Sequence, residues 1–457
     1  MRKLVMEERF HQSDGGKGRP VVWSRETVLG GILAGVLAGA VSIAYRLVLA
    51  AVGKFSREVY TWAQGNSLLM LAVFAGLVVL GLVVGLLVKW VPLSSGSGIP
   101  QIQGEITDEI DMRPWPVLGA KFLGGFLANA AGLSLGREGP SIQLGGAVGK
   151  LLSRLFKRDQ NEENYLVTAG ASAGLAAAFN APISGLLFAV EELHKKISPL
   201  LMISVFLASI TADYLSKQCF GMKPIFHFSL ERALPPESYG WLIVLGIACG
   251  LVGALFNFVL LAGQDIYKKL PVPKVMWAVI AFLLSGVVAF TFPYIQGGGH
   301  DMLEQLAEHP EPLGFLLLLL FLKIVFTSAS YGSAVQGGIF LPVLAIGGVT
   351  GAVVLRTLAL LGMVSPEYYV NFIVLAMGGV LCGVIRTPIL SVLLVTEMTG
   401  EASNILGLCL VVAIAYLTAE LLKSKPIYES LFERLLAGKA AERGDAVVDA
   451  DREDDPK

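Results

Sequence analysis

Three short strings of glycine and proline interrupt an otherwise lipid-soluble chain: Gly96-Ser97-Gly98-Ile99-Pro100, Gly136-Arg137-Glu138-Gly139-Pro140 and Gly338-Ile339-Phe340-Leu341-Pro342. Each puts permissive backbone ahead of a proline, and an apolar helix-like run follows. Proline is favoured at a first helical position and glycine lets the preceding backbone bend. The strings therefore predict three helix starts, broken inside a membrane domain. A helix start offers unpaired N–H groups and a partial positive charge, which suits a small anion. Glu138 lies two residues before Pro140. A carboxylate in an apolar span is costly, which makes it a functional candidate by default. Ionised, it would fill the pocket an anion wants, bonded to the same amides. Protonated, it would lose that attraction and could leave. One glutamate can thus gate an anion path and carry a proton. The competing reading is a capping glutamate paired with Arg137, and Arg137 itself reads as structural rather than ligand-binding.

Ser97 could offer a hydroxyl to an anion without adding a fixed charge that would hold the ion too tightly; alone it would be an ordinary N-cap. Ile339 and Phe340 would act through their backbone N–H groups while their side chains shield the site; alone they are core residues. Glu191 and Glu192 end the apolar run after Pro182, next to Lys195 and Lys196. They read either as a solvated rim or as a source of one proton donor at the membrane edge. Tyr428 follows Lys425-Pro426-Ile427. It is an interface anchor or a hydroxyl that closes an anion site. His11, His194, His227, His300 and His309 form no metal pattern. No P-loop, His-Glu-x-x-His or Gly-x-Ser-x-Gly string is present. Nothing points to a cofactor, a nucleotide or nucleic acid.

The elements that must hold these residues are apolar. The 457 residues are 54% hydrophobic and 16% charged, with a mean hydropathy of +0.67, a composition of polytopic membrane proteins. Segments 27–45, 67–88, 165–190, 238–264, 275–299 and 324–355 carry no charge. The 52 glycines and 21 prolines fall mostly inside apolar stretches, where breaks are tolerated if they lie within protein or line a cavity. A net charge of −1 says nothing about partners. Cys219, Cys249, Cys382 and Cys409 are far apart and read as small core residues. No cleavable signal is evident before the first apolar run. The expected organisation is a polar arm at 1–25, one all-α membrane domain at 26–437, and a charged tail at 438–457, expected to be disordered.

The membrane domain reads as duplicated, with halves at about 26–215 and 235–437. Pro140 to Gly149 aligns with Pro342 to Gly351 at an offset of 202, matching the proline and all three glycines. Lys121 and Lys323 share that offset, as do Gly136 and Gly338. Ala181-Pro182-Ile183 matches Thr387-Pro388-Ile389 at an offset of 206, with Glu191 over Glu397. Paired helix breaks point to a site at the repeat interface near the midplane. Clusters of Lys and Arg before the first span, at 150–158, 195–196, 268–274 and 423–425 place those loops, and both termini, in the cytoplasm.

Together the strings resemble the signature motifs of the CLC chloride channel and transporter family. They stand in the family's order, joined by Asn180-Ala181-Pro182 and a terminal Lys-Pro-x-Tyr, from about residue 25 to 437. The resemblance implies a prokaryotic plasma-membrane homodimer with a pore in each subunit, and inverted repeats of tilted, partly broken helices, about 18 segments. It implies that Ser97 and Tyr428 hold a central chloride with the amides of Ile339 and Phe340, and that Glu138 is the external gate. Glu192 falls where exchangers carry an internal proton-transfer glutamate and channels tend to be apolar, so the expectation is a chloride/proton antiporter and not an enzyme. Glu191 would then be structural. An uncoupled CLC-type channel, or an antiporter for fluoride or nitrate, is the alternative; a membrane enzyme with Glu138 as its acid lacks a catalytic partner. Similar transporters often carry acids where this chain has Gln101 and Gln103, which bears on internal proton delivery.

Overall fold

The computed structural model describes residues 25–228 and 234–442. All but the last residue of the arm, and residues 443–457 of the tail, lie outside the described residues. Within them the chain is all-α, with seventeen α-helices and no strand. They run α1 (Arg25–Ala63), α2 (Ser67–Trp90), α3 (Ile99–Ile106), α4 (Pro114–Ala130), α5 (Glu138–Leu155), α6 (Gln160–Phe179), α7 (Pro182–Leu187), α8 (Pro199–Phe220) and α9 (Tyr239–Lys269). Then follow α10 (Val275–Thr291), α11 (His300–Glu308), α12 (Leu313–Gly332), α13 (Phe340–Leu360), α14 (Tyr369–Ile385), α15 (Pro388–Thr399), α16 (Ile405–Leu421) and α17 (Ile427–Glu442). A π-helical turn, Phe188–His194, continues α7. Seven helices are long and apolar enough to cross a membrane. Leu68, Phe258 and Leu421 turn 75%, 71% and 84% of their surface outward, a liability in water but the expected face toward hydrocarbon.

Several apolar runs that look continuous in the sequence are two half-helices. The 165–190 run stops where Asn180 takes a left-handed φ of 53°, and Pro182 opens the next helix. The 324–355 run stops at Gly332 and restarts at Phe340. In the 275–299 run, α10 ends at Thr291 and Gly297 and Gly299 turn the chain at φ 62° and 102°. Glycine takes such angles without the Cβ penalty, and in a membrane these breaks survive because they are buried in protein. At the other end of the domain, α17 carries the helix into the first residues of the expected tail.

Matched positions of the two halves make matched contacts. Lys121, fully buried, donates to the Ser94 carbonyl at 2.9 Å and the Gly96 carbonyl at 2.7 Å. Lys323, equally buried, donates to Ile295 at 2.9 Å and Gly297 at 2.8 Å. Each spends a buried cation, costly unless it is hydrogen-bonded, on the turn that launches a short helix. Glu191 accepts the N–H groups of Ile389 at 3.2 Å and Leu390 at 2.6 Å, in the first turn of α15. Glu397 accepts those of Ile183 at 3.0 Å and Ser184 at 2.8 Å, in the first turn of α7. These are anionic caps on helix N-termini, given reciprocally. Small residues let the helices touch backbone to backbone, as membrane helices do: a Cβ on Gly145 of α5 would run into the Gly170 carbonyl of α6.

Candidate functional site

Backbone hydrogen bonds stitch the three strings together. Gly136 and Gly338 exchange a pair, N–H to carbonyl, at 2.7 and 2.8 Å. The Gly337 N–H donates to the Gly96 carbonyl at 2.9 Å, and the Gly96 N–H to Ala334 at 3.3 Å. The closest approach is at Gly139, where a Cβ would stand 2.7 Å from the Ser97 carbonyl oxygen, 2.8 Å from Ser97 Oγ and 3.1 Å from Gly338 Cα. Any larger residue there would push the strings apart. Gly98 precedes α3 at φ 95°, a turn that aims the helix start at the junction. So α3, α5 and α13 begin at one place, and the opening amides of each lack intrahelical acceptors.

Glu138 opens α5 and is fully buried. Its carboxylate folds back over Gly136, where a Cβ would collide with it. The amides of Arg137, Glu138 itself and Leu341 face it, but none closes to hydrogen-bonding geometry, and both oxygens are without a partner. Arg137 is its nearest cation, and the Arg137 Nε is likewise without a partner. A buried carboxylate without hydrogen bonds is held only by the field of helix starts and one neighbouring cation. That is a weak hold for a group whose burial as an anion costs several kcal/mol.

Ser97, buried at 1% exposure, accepts the Ile99 N–H at 3.3 Å. Tyr428 opens α17 with no surface exposed; its hydroxyl faces Ser97 and has no hydrogen-bond partner. Its ring stacks on Phe340 with centroids 5.8 Å apart, and Phe179 packs tilted against Phe340 at 6.4 Å. The chain entering α17 is fixed by Asn257, which donates to the Lys425 carbonyl at 3.1 Å, and by Arg386, which donates to Ser424 at 2.7 Å. Ile339 and Phe340, both fully buried, place their N–H groups at the start of α13. Ser97, Glu138, Ile339, Phe340 and Tyr428 are thus drawn into one neighbourhood from four helix starts.

Glu192 stands apart, on the π-helical turn, 5% exposed. The extra residue of such a turn changes which side chains face inward: Glu191 points to the α15 cap and Glu192 into the protein. Its charged neighbours are Lys195, Glu429 and Glu191, and Lys195 approaches Glu429 at 4.0 Å. Gln101 donates to the Ser95 carbonyl at 3.0 Å. Glu105, one turn on, is locked by Lys150 and by the Met112 N–H at 2.6 Å. In the loop after α3, Lys150 and then Arg154 hold the Asp111 carboxyl below the ordinary range.

Sequence reading missed two features of this region. Gly297-Gly298-Gly299 is a fourth glycine turn, unmarked because no proline follows it. Tyr331, at the end of α12, reaches the first string: a Cβ on Gly96 would stand 3.2 Å from its hydroxyl. No local signal in the sequence marks it. Among the described residues no cluster of His, Cys, Asp or Glu could hold a metal ion.

Residues 80–420 match the voltage gated chloride channel family. The chain is 31% identical to the H(+)/Cl(−) exchange transporter ClcA of Vibrio cholerae over 427 residues, covering 91% of this chain and 90% of that one. It is 31% identical to ClcA of Klebsiella pneumoniae over 379 residues, covering 80% and 79%. Among solved structures, a slow cyanobacterial Cl−/H+ antiporter superposes with a TM-score of 0.86 at 28% identity, over 91% of this chain and 99% of that one. A CLC-type fluoride/proton antiporter superposes at 0.73 with 23% identity over 88% and 96%, which speaks for the fold alone. The family match spans well over half of the sequence and agrees with the three strings: this chain is a membrane protein of the CLC, or voltage-gated chloride channel, family.

Proposed function

We propose that this protein exchanges chloride for protons across a prokaryotic plasma membrane, with Glu138 as both the gate on the anion path and the acceptor of the transported proton. The observation that carries this reading is the Glu138 carboxylate: fully buried at a junction of helix starts, faced by three backbone amides, with neither oxygen in a completed hydrogen bond. Chloride and an ionised carboxylate suit the same pocket for the same reason, the field of unpaired amides. Protonation removes the acid's claim on that field and frees the outer position for the anion. Chloride then lies between Ser97 and Tyr428, against the amides of Ile339 and Phe340. Dipoles and hydroxyls bind it without a fixed cation, strongly enough to enter and weakly enough to leave.

Protons reach Glu138 from Glu192, which takes them up at the cytoplasmic face. Tyr428 lies within electrostatic reach of both glutamates, so the two routes share one wall. Glu192 also favours exchange over passive conduction, since a channel needs no second buried acid. The two halves form an inverted repeat about an axis in the membrane plane. The reciprocal Gly136–Gly338 pair and the mutual caps of Glu191 and Glu397 have the self-complementary pattern of a two-fold relation. Both termini lie in the cytoplasm, and the protein works as a homodimer with one path per subunit. In purified form in liposomes, an imposed chloride gradient is expected to drive protons uphill. Chloride flux with no accompanying proton movement would leave a channel in place of the exchanger.

A further inference from the structure

Tyr331 closes α12 with 4% of its surface exposed. Its hydroxyl oxygen and Cζ would stand 3.2 and 3.5 Å from a Cβ on Gly96, so the phenol lies directly over the first string. The Ser97 N–H faces that oxygen, and Tyr428 lies within electrostatic reach of it. A buried hydroxyl costs free energy unless it is hydrogen-bonded, and phenylalanine would fill the same space without that cost. A phenol has one hydrogen to give and lone pairs to receive. The Ser97 amide faces the oxygen, and no protein acceptor among the described residues takes the phenol hydrogen, which is left to donate. Ser97 Oγ already accepts from Ile99 at 3.3 Å, and Tyr428 Oη has no partner. Three hydroxyls converge with donor capacity to spare, and what such a group lacks is an anion.

We propose that Tyr331 is a third side-chain ligand of the transported anion, donating its hydroxyl hydrogen beside those of Ser97 and Tyr428 and so favouring small, strongly hydrated halides. This rests on the anion path drawn above. A hydrogen bond to a charged group gains most with the most charge-dense anion, so the third donor sets selectivity as well as affinity.

The test is calorimetric titration of the detergent-purified protein with chloride and with thiocyanate, comparing Tyr331→Phe with Tyr428→Phe and Ser97→Ala. For Tyr331→Phe the chloride Kd is expected to rise about tenfold, while the thiocyanate Kd moves less than about twofold. Equal weakening of both anions would mean a packing role and overturn the proposal. Unchanged chloride binding in Tyr331→Phe, with weaker binding in the other two variants, would overturn it while leaving the path intact. Unchanged binding in all three would sink the path itself. Should the variant not fold, anomalous scattering from bromide in wild-type crystals decides. A peak within hydrogen-bonding distance of Tyr331 Oη supports the assignment, and a peak near Ser97 but out of reach of Tyr331 refutes it.

Discussion

Lys121 and Lys323 do the same work in the two halves, each gripping the two carbonyls of a glycine turn from a fully buried position. Glu191 and Glu397 likewise cap each other's partner helices. Where the halves differ is in what the shared joinery presents. At the offset of 202, Glu138 stands opposite Phe340 and Arg137 opposite Ile339. At 206, Glu192 stands opposite Met398. The turn holding Ser97 corresponds to a turn holding Gly298. The two glutamates, Glu138 and Glu192, lie in the first half with Ser97, and the second contributes the amides of Ile339 and Phe340 and the hydroxyls of Tyr331 and Tyr428. Matched positions supply the same helix starts in both halves, and under the proposed function substitution at a few of them gives the first half both proton carriers.

That contrast can be broken most sharply at the 192/398 pair. Glu192→Gln is expected to abolish proton movement in liposomes while chloride still passes, whereas Met398→Leu leaves both fluxes unchanged. Coupled proton uptake by Glu192→Gln would remove the asymmetry. The lysine pair comes next. Lys323→Met strands two buried carbonyls and Lys121→Met strands that of Ser94, since Gly96 keeps the Gly337 N–H, at about 1–4 kcal/mol per variant. Thermal melting in detergent should show a loss in both, but only Lys121→Met should also alter chloride affinity, because its turn carries Ser97. Equal effects on affinity would mean that the halves are not specialised.

The capping pair is a smaller test of sameness. Glu191→Gln and Glu397→Gln are each expected to cost about 1–2 kcal/mol, with proton coupling retained in both. A loss of coupling in Glu191→Gln alone would move the proton role one residue back. The smallest effect is expected at Asp111. Lys150 and Arg154 depress its carboxyl below the ordinary 3.8, so its contribution is complete above that value and is lost as pH falls below it. The side chain is 78% exposed, so Asp111→Asn should cost at most about 0.5 kcal/mol, visible as a slightly flatter melting temperature against pH.

Much of this was legible in the residues. The three strings announced helix starts because glycine and proline act locally, and Glu138 stood out because acids are rare in apolar runs. The family followed from the order of the strings. The pairing of Lys121 with Lys323 was visible as an offset, but not what each lysine holds, since their acceptors lie about 25 residues upstream on separate turns. The π-helical turn was hidden because nothing in Phe-Ala-Val-Glu-Glu-Leu-His distinguishes it from ordinary helix. It is the turn that separates a capping Glu191 from an inward Glu192. Tyr331 was missed for a different reason: its partner string lies some 235 residues away, and only the closed fold brings them together. Runs such as 165–190 read as single spans because hydropathy records the solvent and is blind to a left-handed asparagine.

The proposed competition between Glu138 and chloride is tested most directly by titrating chloride into the purified protein and into Glu138→Gln across a range of pH. In the wild-type protein affinity should weaken as pH rises, because the ionised carboxylate takes the anion's place, and in Glu138→Gln that dependence should vanish. The same pH dependence in both would show that this acid and the halide do not share a pocket.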